Sequence, residues 1–266
     1  VAPQQPSSRA GPAARTAVGI DVGGSGIKGG VVDLASGEVV GERLRDPTPE
    51  GFEPDPVIAA IADLAGRLSP EGPIGIGFPA VVSQGRLLTN PTALERPGWA
   101  GRDLAAELAE RAGREVSIAN DADVAALAEH AFGAAVDRGG TVLVLTLGTG
   151  IGTGLLRDGR LLPNLELGRI YLQGDREVAE EHCAARIRDE QDLSWEQWAG
   201  RLQRYLGHIE RILAPDLIVI GGGISKDADR FMGRLETWAD LVAATLLNNA
   251  GIVGAATLTR PEDERL

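Results

Sequence analysis

Apolar positions along the chain come in short blocks whose period switches repeatedly between two and about 3.6 residues. Residues 16–21 (TAVGID), 29–34 (GGVVDL) and 38–44 (EVVGERL) read as strands, the last two joined by a turn at Ser36 and Gly37. A connection that short makes the two strands antiparallel. The spacing of Val57, Ile58, Ile61, Leu64 and Leu68 predicts a helix over 55–68. A buried strand at 74–78, an amphipathic helix at 102–111, a strand at 116–119 and an alanine-rich helix at 121–132 follow. Then the pattern restarts. Residues 141–147 (TVLVLTL) form an apolar strand that meets a run of alternating glycines at 148–154, and a hairpin turns at Asp158 and Gly159. Helices are expected at 178–188, 195–213, 227–238 and 251–258, with strands at 217–220 and 241–246.

Strand, glycine loop and hairpin thus occur twice, at 16–44 and at 141–162, which suggests an internal duplication. The expected fold is α/β with mixed sheets, because helices alternate with strands while the hairpins add antiparallel pairs. Two lobes follow from the duplication: a smaller one over 16–119, onto which a closing helix within 251–266 packs back, and a larger one over 120–250. Their glycine loops are expected to face each other across a cleft.

Composition narrows the class. The chain has 266 residues, 43% of them hydrophobic, enough for one large domain or two modest ones. Its formal net charge of −12 speaks against nucleic acid as a partner, since such binders carry a basic face. No apolar run approaches the roughly 20 residues that span a bilayer, so no membrane association is expected. Residues 1–15 are rich in Pro, Ala, Ser and Gln without an apolar block; they read as a disordered tail rather than a secretory signal, and the expected compartment is the cytoplasm. Cys183 is the single cysteine, which rules out an internal disulfide and a structural zinc site built on several thiolates. The two lysines, Lys28 and Lys226, each lie just beyond a glycine cluster, either facing phosphate or left over from an arginine-biased composition.

Four places carry candidate chemistry. In Asp21-Val22-Gly23-Gly24-Ser25-Gly26-Ile27-Lys28, glycines directly after a strand free backbone N–H groups to turn toward an anion, with Lys28 to offset its charge and Asp21 to orient Mg²⁺ through water. The alternative is a tight hairpin turn, and the spacing is not that of a Walker loop. Gly148, Thr149 and Gly150 repeat the arrangement in the second half. Asn120 and Asp121 lie between a strand and a helix, where an Asp is either an N-cap or a catalytic carboxylate at a strand's C-terminal edge. Glu166 and Arg169 either bind adjacent hydroxyls or pair with each other. Gly221 to Gly223, ahead of Lys226, either admit a donor at a helix start or make a tight turn.

Taken in order, DVGGSGIKGGVVD, IGFPAVV, NPTALERPGW, ANDADVAALAE, TLGTGIGTG, ELGRI and LIVIGGGIS resemble the ROK family of sugar kinases and repressors over residues 16 to about 259. Within it the chain is similar to the polyphosphate glucokinase branch and its polyphosphate/ATP-dependent glucomannokinase type. The resemblance implies a two-lobed actin/hexokinase-like (ribonuclease H-like) fold and transfer of a phosphoryl group from polyphosphate or ATP to the 6-hydroxyl of glucose or mannose, with Mg²⁺ and as a homodimer. It implies that Asp121 is the general base and that Asn120, Glu166, Arg169 and Glu181 hold sugar hydroxyls. Asp21, Gly23, Gly24, Ser25, Gly26, Lys28, Gly148, Thr149 and Gly150 would hold donor phosphates, and Gly222 and Gly223 the donor's far end. Two departures stand out: Arg169 occupies the place of a family histidine, and the family's cysteine-rich zinc motif is missing, leaving Cys183 alone, so no zinc is expected. Arg169 is expected to relax discrimination at the sugar C2. A sugar-binding regulator is the alternative; it needs a helix-turn-helix ahead of the kinase-like part, for which 15 residues are too few. An actin-like filament ATPase lacks a use for Asn120, Asp121 and Glu166.

Overall fold

The computed structural model describes residues 16–91 and 96–261. The expected tail over 1–15, part of the NPTALERPGW segment and the last five residues lie outside them. The chain begins with three antiparallel strands, β1 (Thr16–Val22), β2 (Ile27–Asp33) and β3 (Val39–Asp46). Next come α1 (Pro54–Leu68), β4 (Ile74–Phe78), a small hairpin of β5 (Val82–Ser83) and β6 (Arg86–Leu87), α2 (Leu104–Ala112), β7 (Val116–Asn120) and α3 (Asp121–Phe132). The second half repeats the antiparallel triplet as β8 (Thr141–Leu147), β9 (Ile151–Arg157) and β10 (Arg160–Leu165). It continues through α4 (Glu180–Cys183), α5 (Ala185–Glu190), α6 (Trp195–Leu213), β11 (Leu217–Gly221), β12 (Asp240–Ala243) and α7 (Ala250–Thr257).

The first sheet runs β3-β2-β1-β4-β7 and the second β10-β9-β8-β11-β12. In each, two antiparallel strands flank the first strand on one side and two parallel strands on the other. The repeat seen in the residue pattern is therefore a repeat of topology. Strand alternation sorts the side chains into layers. Val18, Ile20 and Ile76 face α1 together with a tilted aromatic trio of Phe52, Phe78 and Trp99. In β8, Leu143, Leu145 and Leu147 pack on α6 through Trp198, Tyr205 and Leu206, while Val142 and Val144 turn to α3. Helices α3 and α7 fill the space between the sheets.

That middle layer is unusually close-packed. A Cβ on Gly154 would stand 2.8 Å from the Ala122 carbonyl oxygen, and one on Gly254 would stand 1.7 Å from that of Val124. The backbones of α3, α7 and β9 can approach this closely only because those positions lack a side chain. Gly154, the end of the alternating-glycine run, is thus a packing position.

Two expected helices differ. The 227–238 segment forms only 3-10 turns, Gly223–Arg230 and Met232–Arg234. Phe231 is buried against Trp195 and Trp198, with Met232 and Leu235 packed beside it, and Gly233 lies between them, where a glycine disfavours a continuous helix. The 178–188 helix breaks at Ala184, whose ψ is 155° and whose carbonyl accepts a hydrogen bond from Trp198 Nε1 at 3.2 Å. The break brings the Arg186 amide onto the Gly148 carbonyl at 3.1 Å, so the second glycine loop rests on the start of α5. The last strand also ends at Ala243 rather than 246.

Candidate active site

Asn120 closes β7 as its last residue and caps α3. Its Oδ1 accepts from the amides of Ala122 at 2.9 Å and Asp123 at 3.3 Å, so Asp121 is not needed as the cap. Asp121 Oδ1 accepts from the Ala122 amide at 2.9 Å. The Asp121 carboxyl faces a cavity of about 320 Å³ bounded by Gly23, Gly24 and Pro79 on one wall and Gly148, Thr149, Gly150, Glu166 and Glu180 on the other. Desolvation, followed by the negative charge of Asp21, raises the Asp121 pKa to about 7. Such a carboxyl exchanges a proton readily at neutral pH, the property a general base needs.

A second cavity of about 220 Å³ shares Asp121, Thr146 and Gly222 with the first and adds Asp21, Gly223, Ser225 and Lys226. Lys28 lines it too; its Nζ lies 3.3 Å from Asp21 Oδ2, as the direct pairing of these residues across β1 and β2 requires. Both lysines of the chain therefore converge on one space, although 198 positions separate them. Gly222, at φ 81°, lies where the cavities meet, and a Cβ there would stand 2.4 Å from the Leu147 carbonyl oxygen.

The first glycine loop divides. Gly23 and Gly24 line the cavity, with the Gly23 amide bonded to the Gly26 carbonyl at 3.0 Å as in a tight turn. Ser25 and Gly26 are held toward Arg45 instead: its Nη2 donates to the Ser25 carbonyl at 3.3 Å, and a Cβ on Gly26 would lie 2.8 Å from its Nε. Of the run 148–154, Gly148, Thr149 and Gly150 face the cavity, whereas Gly154 packs on α3.

Of the two readings of Glu166 and Arg169, the direct pair does not form. Arg169 Nη1 binds Glu180 Oε1 at 2.8 Å, and among the described residues no donor reaches the Glu166 carboxylate. Burial, then the Glu180 charge, raises the Glu166 pKa. Glu181 does not reach the cavity; it pairs with Arg186, and its neighbour Glu180 lines the wall, with Oε2 accepting from the Ile151 amide at 3.3 Å. Residue pattern could not separate two adjacent glutamates on a short helix. Thr146, by contrast, left a signal as the only polar residue inside TVLVLTL.

Cys183 is buried, its Sγ donates to the Ala179 carbonyl at 3.3 Å, and burial pushes its thiol up to about 12. Among the described residues no group of three His, Cys, Asp or Glu side chains is placed to hold a metal ion, and no helix is long and apolar enough to cross a membrane.

The same arrangement of sheets recurs among solved proteins. The inorganic polyphosphate/ATP-glucomannokinase from Arthrobacter sp. strain KM matches with a TM-score of 0.85 at 42% identity, over 91% of this chain and 97% of that one. A ROK family glucokinase from Streptomyces griseus, solved with glucose and AMPPNP, matches with a TM-score of 0.74 over 91% of this chain and 98% of its own; at 23% identity it speaks for the fold alone. In sequence, a polyphosphate glucokinase of Mycobacterium tuberculosis is 42% identical over 243 residues, covering 91% of this chain and 90% of that protein. The ROK family model matches residues 17–184. On this match, the shared topology and the 42% relatives, the chain belongs to the ROK family.

Proposed function

We propose that this chain, a hexokinase-type sugar kinase, moves the terminal phosphoryl group of inorganic polyphosphate or ATP to the 6-hydroxyl of glucose, and of mannose as well, with Asp121 as general base. One observation carries the reading: the Asp121 carboxyl stands on the wall common to two cavities, with its proton affinity near neutrality. The larger cavity, with Asn120, Glu166 and Glu180, suits a polyol; the smaller, with Lys28, Lys226 and the Gly222–Gly223 turn, suits a phosphate chain. The names of the 42% relatives point the same way.

In this mechanism Asp121 takes the proton of the attacking hydroxyl as the oxygen approaches the donor phosphorus in line. Amides of Gly24, Thr149 and Gly150 carry the equatorial phosphoryl oxygens, while those of Gly23 and Gly148 close their own turns, and Lys28 and Lys226 offset donor charge. Mg²⁺ favours one or two carboxylates plus phosphates and water, which a lone Asp21 beside Asp121 suits better than a full protein cage would. Bound there, the ion would screen the donor oxygens. Residues 16–119 and 120–250 act as lobes closing over the sugar, which keeps water from the donor.

The direct test is a coupled assay of glucose and mannose against ATP and polyphosphate. Sugar 6-phosphate should form with at least one donor, and transfer to neither sugar overturns the reading. The extension to mannose rests on Arg169, whose guanidinium holds Glu180 at the sugar wall. Arg169→His should change the glucose-to-mannose ratio of kcat/KM; an unchanged ratio removes that part of the proposal.

A further inference from the structure

Asn164 lies in β10 at a break in its pairing with β9, in the left-handed region at φ 64°. Its carboxamide grips the backbone of Val82, in the first strand of the small hairpin, from both sides: Oδ1 accepts from the Val82 amide at 2.9 Å and Nδ2 donates to the Val82 carbonyl at 2.8 Å. The side chain thereby imitates a strand partner between segments 82 positions apart. Its own amide donates to Asp123 Oδ2 at 2.8 Å. Asp123 is fully buried in the first turn of α3, and among the described residues the Asn164 amide is the one partner of its carboxyl, whose Oδ1 has none.

Three walls of the sugar cavity meet at this residue. Asp123 belongs to the helical turn that carries Asp121. Glu166 follows Asn164 by two positions. Val82 opens β5 directly after the loop that holds Pro79, and the Ala80 carbonyl in that loop accepts from Asn120 Nδ2 at 3.3 Å. The strap joins the second sheet, through β10, to the segment after β4 of the first.

We propose that Asn164 is a positioning residue for the sugar: by clamping Val82 and Asp123 together it fixes the distance between Asp121, Glu166 and the Pro79 loop. This rests on the kinase reading above. Asn164 touches none of the reacting atoms, and the donor cavity does not include it. Losing the Val82 clamp therefore frees the Pro79 loop, which lines the sugar cavity and not the donor cavity. A displacement of about 1 Å among such groups is enough to cost rate severely.

Asn164→Gly tests it, because glycine accepts the left-handed backbone and keeps the amide for Asp123 while removing the clamp on Val82. The expected result is a rise in glucose KM of roughly tenfold or more with the polyphosphate KM within about twofold of wild type. Calorimetric titration of glucose should weaken in parallel, and circular dichroism should stay unchanged. Equal rises in both KM values, or an unchanged glucose KM in a folded variant, overturn the proposal. Should N164G not fold, N164D keeps the acceptor for the Val82 amide and is held to the same acceptor-selective pattern. Wild-type protein that phosphorylates no sugar in this assay overturns the kinase reading and this inference with it; wild-type activity with an indifferent N164G overturns the inference alone.

Discussion

The first turn of α3 offers two carboxyls, Asp121 and Asp123, to opposite surroundings. Both are raised to about 7, and burial is the leading cause for each. Asp121 looks into the junction of two cavities, beside Asp21 and within reach of the Gly23 and Gly148 loops. Asp123 looks into protein, fully buried, with one backbone amide as its partner. Equal proton affinity therefore does not mean equal role. Access to a ligand separates a base from a structural group, and a perturbed pKa by itself identifies neither.

The largest way to break this comparison is Asp121→Asn. The amide keeps the acceptor for the Ala122 amide, so fold and glucose binding should persist while kcat falls by about 10²–10⁴-fold. Turnover near wild type would take the base role from Asp121. A smaller effect sharpens the same side: if Asp121 must be ionised, kcat/KM should rise with pH along an acid limb centred at about 7. A profile flat from pH 5.5 to 8 would disconnect that carboxyl from the rate.

The smallest expected effect belongs to Asp123. Folded protein holds its proton up to about pH 7, whereas an unfolded aspartate releases it near its ordinary value of 3.8. Its contribution to stability is thus fully present below that value and is lost as pH rises through about 7. Asp123→Asn should remove this dependence, so the melting temperature of the variant relative to wild type should be higher at pH 8 than at pH 5. A difference that does not move with pH would mean that Asp123 is not held protonated.

Much of this was legible in the residues. The strands at 74–78 and 141–147 and the helices at 121–132 and 195–213 have their expected bounds, because each has an end signal: Pro79 or Gly148 after the strand, Asn120 or Ser194 before the helix. The duplicated order of strands followed from the repeat of strand, glycine loop and hairpin. The segment 227–238 misled although Gly233 lies inside it as a breaker, and the packing of Phe231 against Trp195 accompanies the turns it forms instead. In the site, Asp121, Glu166, Gly23, Gly148 and Lys28 stand at the cavities as expected, while Ser25 and Gly26 were drawn off by Arg45, a partner from the next strand.

The sequence by itself determined which chemistries were present and in what order: two carboxylates after β7, two glycine loops in equivalent places, two lysines, no cysteine cluster. Local periodicity and turn residues encode these, and they need no knowledge of distant contacts. Tertiary structure alone decided the pointing. Whether Asp121 or Asp123 faces the cavity, whether Glu180 or Glu181 does, and whether a glycine cradles a ligand or admits a helix all depend on how α3 and α4 are rotated against their neighbours. Side chains two apart on a helix point about 200° apart, so a single rotation exchanges base for buried strut. That rotation is set by packing, and the packing partners of α3 lie as far along the chain as Gly254.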